Sequence, residues 1–122
     1  MVKRILVVDD EHDINLTLKF VLEGNNFKVD SFTNPLVALQ NFKIGLYLVL
    51  LDVKMPVMNG FGLYQAIRKL DDKVKICFLT AVSDVYYEGF GKQAFPNIEK
   101  KCIIQKPIEN ELLIKQIKSI MC

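Results

Sequence analysis

Acidic side chains follow two apolar runs of the chain. Asp9 and Asp10 come directly after residues 4–8, and Asp52 comes directly after residues 47–51. Short apolar runs are typical of buried strands, so each acid is expected at the carboxyl end of a strand, where open α/β sheets bind ligands. If the strands are parallel, these ends share one edge of the sheet. Carboxylates about 4 Å apart repel each other by roughly 4 kcal/mol per pair, so together they must take up a proton or bind a cation.

Oxygen donors of this kind suit a hard divalent cation. Magnesium prefers oxygen ligands in octahedral geometry and keeps several water molecules, and Mn²⁺ is a candidate substitute. Zinc would require histidine or thiolate ligands, but the chain has one histidine, His12, and it lies where a helix is predicted to begin, which is typical of a solvated side chain. The three acids therefore predict a Mg²⁺ site.

A hydroxyl group and an ammonium group follow two further apolar runs. Thr80 comes after residues 74–79, and Lys106 comes after residues 102–105. Beside a bound cation, these two groups would neutralise the oxygens of a phosphoryl group. We therefore expect Asp52 to be the nucleophile that receives phosphorus and becomes an aspartyl phosphate.

Each of these residues also has a simpler interpretation, which the sequence alone leaves open. Asp9 and Asp10 could cap the first helix, Thr80 could be an ordinary hydroxyl at a strand end, and Lys106 could be a surface lysine. The tripeptide Asn15-Leu16-Thr17 matches the glycosylation pattern, but it lies inside a predicted helix. We expect no role for that tripeptide.

Strands and helices alternate along the chain. Hydrophobic patterns and turn residues predict strands at residues 4–8, 27–32, 47–51, 74–79 and 102–105. They predict helices at residues 13–23, 35–42, 60–70 and 109–121. Leu36 and Leu112 are among the residues expected to face inward. Residues 83–101 contain two glycines and Pro96, so a helix there should be short or broken. Near-continuous apolar strands between helices predict an α/β fold, a doubly wound five-stranded parallel sheet built from βα units.

Composition limits the classes of function. With 122 residues, of which 51% are hydrophobic, the chain is expected to form one globular domain. The net charge of +2 is small and the basic residues are scattered, so no direct contact with nucleic acid is expected. The longest apolar stretch is shorter than the roughly 20 residues of a membrane span, and the first residues lead into a strand, so we expect a cytoplasmic protein without membrane contact. The three cysteines have no metal or disulfide spacing and should be reduced.

Four motifs occur together in order. They are Val7-Val8-Asp9-Asp10-Glu11, Leu50-Leu51-Asp52-Val53-Lys54-Met55-Pro56-Val57-Met58-Asn59-Gly60, Leu79-Thr80-Ala81 and Gln105-Lys106-Pro107. With these motifs the whole chain resembles a response-regulator receiver domain of the single-domain, chemotaxis-regulator type. The resemblance implies a flavodoxin-like three-layer sandwich with strand order 2-1-3-4-5. We expect one receiver domain over residues 1–122, with no output domain; it is either a stand-alone receiver or the receiver piece of a longer regulator.

The resemblance further implies a role for each acid. Asp52 would accept a phosphoryl group from the phosphohistidine of a sensor histidine kinase or of a phosphotransfer protein. Asp10 and Asp52 would bind Mg²⁺ directly, and Asp9 would bind it through water or as a second ligand. The backbone carbonyl of Lys54 would add a third protein ligand.

Two further residues have implied roles in the family. Thr80 would close on the phosphoryl group, and Lys106 would form a salt bridge with it, next to a cis bond between Lys106 and Pro107. Such a protein is not a turnover enzyme. Phosphorylation would instead change its conformation and so control an unknown downstream protein, with the receiver acting as a monomer or as a phosphorylation-dependent dimer.

Departures from the family pattern leave one alternative open. Ile103 stands three residues before Lys106, where the family usually has an aromatic residue, and the segment between Thr80 and Lys106 is longer than usual. A degenerate receiver, which binds its partner without phosphorylation, would also fit these features. A haloacid-type phosphohydrolase is not expected, because the position two residues after Asp52 is Lys54 and not an acid. A nucleotide-binding module is not expected either, because no glycine-rich loop follows the first strand.

Overall fold

Strands of the chain form one parallel sheet. The computed structural model describes residues 3–80, 102–106 and 109–121. Its strands are β1 (Lys3–Val8), β2 (Phe27–Phe32), β3 (Leu48–Leu51), β4 (Ile76–Thr80) and β5 (Ile103–Gln105). Their order is β2-β1-β3-β4-β5, and each neighbouring pair is parallel. The expected α/β fold with strand order 2-1-3-4-5 is therefore confirmed.

The two central strands are buried on both faces. All four residues of β3 and the last four residues of β1 are buried. Successive side chains of a strand point to opposite faces of the sheet, so both faces must be covered. This burial explains why the sequence of these strands is a continuous apolar run rather than an alternating one. Burial of these residues also determines how far each strand extends along the sheet, and so where the acid that follows it lies.

Helices connect the strands. In the described residues they are α1 (His12–Glu23), α2 (Pro35–Gln40), α3 (Gly60–Leu70) and α4 (Asn110–Met121). Two of them begin at asparagine caps: the Asn34 side chain accepts a hydrogen bond from the Leu36 N–H at 2.9 Å, and the Asn59 side chain accepts one from the Gly62 N–H at 2.9 Å. The short or broken helix expected at residues 83–101 lies outside the described residues.

Two predicted boundaries differ from the structure by two residues, and the other boundaries of the described elements differ by one residue at most. Helix α2 ends at Gln40 instead of residue 42, because Asn41 leaves the helical conformation with φ −103° and ψ 8°. Strand β4 begins at Ile76 instead of residue 74, and the preceding loop is held by Arg68, which donates a hydrogen bond to the Val74 carbonyl at 2.6 Å. The hydrophobic pattern therefore extends two residues beyond the regular backbone of each element.

The prediction that two of the leucine residues face the core is wrong. Leu36 is 41% exposed and Leu112 is 52% exposed. In α4 the buried residues Leu113, Ile117 and Ile120 recur at the helical spacing of four and three residues, and Leu112 lies about 100° away from the first of them. The prediction spread the apolar face of each helix one residue too far.

Two of the three cysteines lie in the described part of the chain. Cys77 and Cys102 are buried, and neither takes part in a disulfide among the described residues. Cys122 lies outside the described residues. None of the helices in the described ranges combines the length and apolar character needed to cross a membrane.

Candidate functional site

Three carboxylates meet at the carboxyl ends of β1 and β3. These strands are neighbours, with Val8 opposite Leu51, and the Asp52 N–H donates a hydrogen bond to the Val8 carbonyl at 2.9 Å. Carboxylate oxygens of Asp9, Asp10 and Asp52 lie within 4.8 Å of one another. The parallel sheet thus brings together acids that are separated by more than forty positions in the sequence, as the strand-end argument predicted.

The carboxylate of Asp9 already has partners. Asp9 is 2% exposed, and its Oδ1 accepts a hydrogen bond from the Glu11 N–H at 2.9 Å. Its Oδ2 lies 2.5 Å from Lys106 Nζ, whereas Asp52 Oδ1 lies 3.7 Å from the same nitrogen. Lys106 therefore joins the site as predicted, and its closest carboxylate is that of Asp9.

Asp52 is buried, and its charge is unfavourable there. The residue is 7% exposed, and its side-chain Oδ1 accepts a hydrogen bond from the Val53 N–H at 2.9 Å. Burial raises the pKa of the Asp52 carboxyl from 3.8 to about 6, and the negative charges of Asp9 and Asp10 raise it too. The Lys106 ammonium and the Val53 N–H lower the pKa, but not enough to cancel the burial. A cation beside Asp52 would favour the ionised carboxylate.

The donor atoms fit magnesium better than a softer metal. The cluster offers carboxylate oxygens, and Asp10 is exposed while Asp9 and Asp52 are buried. A cation at this position could keep water molecules on the Asp10 side, as Mg²⁺ usually does. His12 is not part of the cluster. These features agree with the oxygen-only site expected from the sequence.

The loop after Asp52 is held close to the site by its glycine. The Gly60 N–H donates a hydrogen bond to the Val53 carbonyl at 2.8 Å, and a Cβ atom on Gly60 would lie 2.2 Å from the Asp52 carbonyl oxygen. Only glycine permits that approach of α3 to the end of β3. Between them the chain turns tightly at Val57, with φ 74° and a hydrogen bond from the Met58 N–H to the Pro56 carbonyl at 2.8 Å.

Other predicted site residues are placed with less detail. Lys54 is exposed in the loop two positions past Asp52. Thr80 ends β4, paired with Gln105, the residue before Lys106. The Thr80 side chain and Pro107, with the expected cis bond, lie outside the described part of the chain. Ile103 is partly buried and packs against the core.

The sequence interpretation missed Asn15. This residue is 3% exposed, and its Nδ2 donates hydrogen bonds to the Asp9 carbonyl at 2.7 Å and to the Phe32 carbonyl at 3.0 Å. A signal was present: Asn15 stands three and seven positions before Leu18 and Leu22, on the buried stripe of α1. A polar residue on such a stripe needs hydrogen-bond partners, and here they belong to the site.

Comparison with known proteins decides the family. The family model named response regulator receiver domain matches residues 5–118 of the chain. The chain belongs to this family. Membership supports a phosphoacceptor role in two-component signalling and accounts for the acidic cluster at the end of the parallel sheet.

Similar receiver-containing proteins occur in several organisms. The CpxR homolog of Haemophilus influenzae, named as a transcriptional regulatory protein, is 33% identical over 118 residues, covering 97% of this chain and 50% of the relative. The probable transcriptional regulator ycf27 of Cyanidium caldarium is 39% identical over 118 residues, covering 96% of this chain and 45% of the relative. The chain thus spans about half the length of these curated relatives.

A solved structure of a similar receiver matches along almost its whole length. The response regulator protein TrrA of Thermotoga maritima, in complex with Mg²⁺-BeF, is 32% identical with a TM-score of 0.80. The match covers 98% of this chain and 99% of that one.

Proposed function

We propose that Asp52 accepts a phosphoryl group from a histidine-kinase phosphohistidine, or from a phosphotransfer protein, in a Mg²⁺-dependent step of two-component signalling. One observation carries this proposal: Asp52 lies at the end of β3 with oxygens of Asp9 and Asp10 within 4.8 Å and the Lys106 ammonium at 3.7 Å. A nucleophile, candidate metal ligands and a cation for the phosphoryl oxygens therefore share one site.

Asp10, Asp52 and the Lys54 carbonyl are the proposed protein ligands of the metal. Bound Mg²⁺ would offset negative charge at the reacting oxygens. Asp9 is the least available of the three acids for direct binding, because both of its oxygens already accept hydrogen bonds from the protein. We assign it to the metal through water. The complex of TrrA with Mg²⁺-BeF supports magnesium as the cation.

The transfer uses the ionised form of Asp52. A carboxylate oxygen attacks phosphorus as the bond between phosphorus and the histidine nitrogen breaks, so the product is an aspartyl phosphate and a neutral imidazole after proton uptake. Lys106 then turns from Asp9 toward the new phosphoryl oxygens, which carry more charge than one carboxylate. The Thr80 hydroxyl is the proposed second donor to the phosphoryl group.

The proposed output is a change of surface rather than turnover of a substrate. Residues 1–122 act as a cytoplasmic receiver domain that binds a kinase before transfer and a downstream protein after it. Phosphorylation at Asp52 shifts an equilibrium between two conformations, and the downstream protein binds one of them more tightly. Mn²⁺ should replace Mg²⁺, because it accepts the same oxygen ligands.

Phosphorylation by a small donor tests the proposal. The protein is incubated with acetyl phosphate and Mg²⁺, and its intact mass is measured. We expect a gain of one phosphoryl group on the parent chain and on Asp72→Asn, a matched change at an exposed acid of the α3–β4 loop. We expect no gain on Asp52→Asn and none in EDTA. A parent chain that gains no phosphoryl group with acetyl phosphate and Mg²⁺ would contradict the proposal and favour the degenerate receiver.

A further inference from the structure

The carboxamide of Asn15 links two strand ends beside the acids. Its two N–H groups donate to the Asp9 carbonyl at 2.7 Å and to the Phe32 carbonyl at 3.0 Å. The Phe32 carbonyl also accepts from the Asp9 N–H at 3.2 Å. The end of β1 is therefore joined to the end of β2 directly by the Asp9 N–H and indirectly by the Asn15 side chain, which bonds to both.

These bonds fix the peptide group between Asp9 and Asp10. The carbonyl of that peptide is the one that Asn15 holds, so rotation of the peptide would break the 2.7 Å bond. The Asp9 side chain has partners of its own in Glu11 and Lys106. In contrast, no hydrogen bond or ion pair to the Asp10 side chain is present within residues 3–80, 102–106 and 109–121. Among the described residues, only the backbone thus determines where the Asp10 side chain begins, and so which positions its carboxylate can reach.

The side-chain N–H groups of Asn15 have partners, but its side-chain oxygen has none among the described residues. Its Oδ1 is buried, and none of the described donors reaches it. A buried acceptor without a partner is destabilising, and asparagine is a poor helix former, so leucine would suit the stripe formed with Leu18 and Leu22 better. What leucine would lack is the pair of donors to the two carbonyls. The residue type therefore fits the site and not the core.

We propose that Asn15 is a positioning residue of the metal site, which sets the affinity for Mg²⁺ by holding the Asp9–Asp10 peptide group. It does not touch the cation; it acts through the backbone of Asp10. The inference rests on the proposed function, because it assumes that the acids bind Mg²⁺. Residues that orient metal ligands in this way typically contribute about 10- to 100-fold to metal affinity.

Direct titration with Mg²⁺ tests the inference without any phosphodonor. Binding to the parent chain and to Asn15→Leu is measured by calorimetry, and unfolding by urea in EDTA reports the stability of each metal-free protein. We expect the dissociation constant of Asn15→Leu to rise at least about tenfold. A matched control is Asn25→Leu, which removes a similar bond, from Asn25 Nδ2 to the Val21 carbonyl at 2.9 Å, at the other end of α1. The control should bind Mg²⁺ like the parent.

The dependence of phosphorylation on Mg²⁺ gives a second readout that a purely structural role would not move. In Asn15→Leu, the Mg²⁺ concentration needed for half the maximal rate with acetyl phosphate should rise, while the rate at saturating Mg²⁺ should stay within about threefold of the parent, because Asp52 and Lys106 are unchanged. Asn15→Ala also removes the amide, and alanine is a better helix former than asparagine. This variant should likewise need more Mg²⁺ while its rate at saturating Mg²⁺ stays near that of the parent, and it replaces the leucine variant if that variant does not fold.

Failure of this inference differs from failure of the proposed function. If the parent chain binds no Mg²⁺, both are wrong. If the parent binds Mg²⁺ and both Asn15 variants bind it within twofold of the parent, only the role of Asn15 is refuted. An equal loss in Asn25→Leu would also refute it, because the effect would then come from the helix and not from the acids.

Discussion

The charge of Asp52 should destabilise the metal-free protein, and its removal should be measurable. Asp52→Asn keeps the shape of the side chain and an oxygen for the hydrogen bond from the Val53 N–H. It removes a carboxylate that is 7% exposed and lies beside Asp9 and Asp10. We therefore expect Asp52→Asn to be more stable than the parent at neutral and higher pH.

The size of the effect follows from the pKa. Because the folded protein raises the pKa of Asp52 from 3.8 to about 6, ionising it costs about 3 kcal/mol more in the folded chain than in the unfolded chain. The folded protein holds this proton more tightly, so the parent loses stability as pH rises through about 6. Below pH 3.8 the carboxyl is protonated in both states, and the difference disappears.

Urea unfolding in EDTA at several pH values measures this difference. The gain in free energy of unfolding for Asp52→Asn should be small at pH 4, should grow between pH 4 and 7, and should reach about 3 kcal/mol at pH 8. Mg²⁺ should reduce the difference in unfolding free energy between variant and parent at pH 8. At 100 times its dissociation constant it would stabilise the parent by about 2.7 kcal/mol, whereas it should bind the variant poorly.

A matched control and a clear contrary result complete the test. Asp30→Asn removes an exposed acid that pairs with Arg4 at 2.9 Å, so its stability should change by less than about 1 kcal/mol. A constant difference between Asp52→Asn and the parent from pH 4 to 8 would refute the reasoning, because it would show that Asp52 carries no unfavourable charge in the folded protein.

Three further variants test how the site is built. Gly60→Ala should lose at least about 2 kcal/mol of unfolding free energy, because its Cβ would lie 2.2 Å from the Asp52 carbonyl oxygen. The same change should weaken Mg²⁺ binding. Urea unfolding curves like those of the parent would contradict this. Asn59→Ala should lose about 1 kcal/mol with the cap of α3, and a loss above 3 kcal/mol would point to another role. Arg68→Met removes the bond to the Val74 carbonyl and should lose about 1 to 2 kcal/mol without changing the dissociation constant for Mg²⁺ measured by calorimetry.

The sequence predicts well those features that depend on where strands end. The strands before Asp9 and Asp52 end in buried residues, and in the short strand before Lys106 the middle residue, Ile104, is buried. Parallel pairing brings the carboxyl ends of these strands to one edge. Because side chains follow the strand directly, no information about loops is needed to place them. The fold class is predicted for the same reason, whereas the strand order is implied by the resemblance to receiver domains.

The remaining features depend on single contacts that a pattern does not contain. Nothing in the sequence shows that Lys106 lies nearer to Asp9 than to Asp52, since this depends on the direction of one side chain. The C-terminal end of α2 depends on the backbone conformation of Asn41. Asn15 could have been recognised from its place on the buried stripe of α1, but its partners come from residues 9 and 32, which only the fold brings together.

The electrostatic arrangement explains why each acid has a distinct part in the proposed site. With three ionised acids and a charged Lys106, the cluster carries two net negative charges, which match one divalent cation. Lys106 lies closest to Asp9, so the remaining charge is concentrated on Asp10, which is exposed, and on Asp52, which is buried. Without the cation, burial raises the pKa of Asp52 most, and the charges of Asp9 and Asp10 raise it further. If Lys106 lay between Asp10 and Asp52 instead, it would neutralise the pair that must bind the cation, and the site would hold Mg²⁺ poorly.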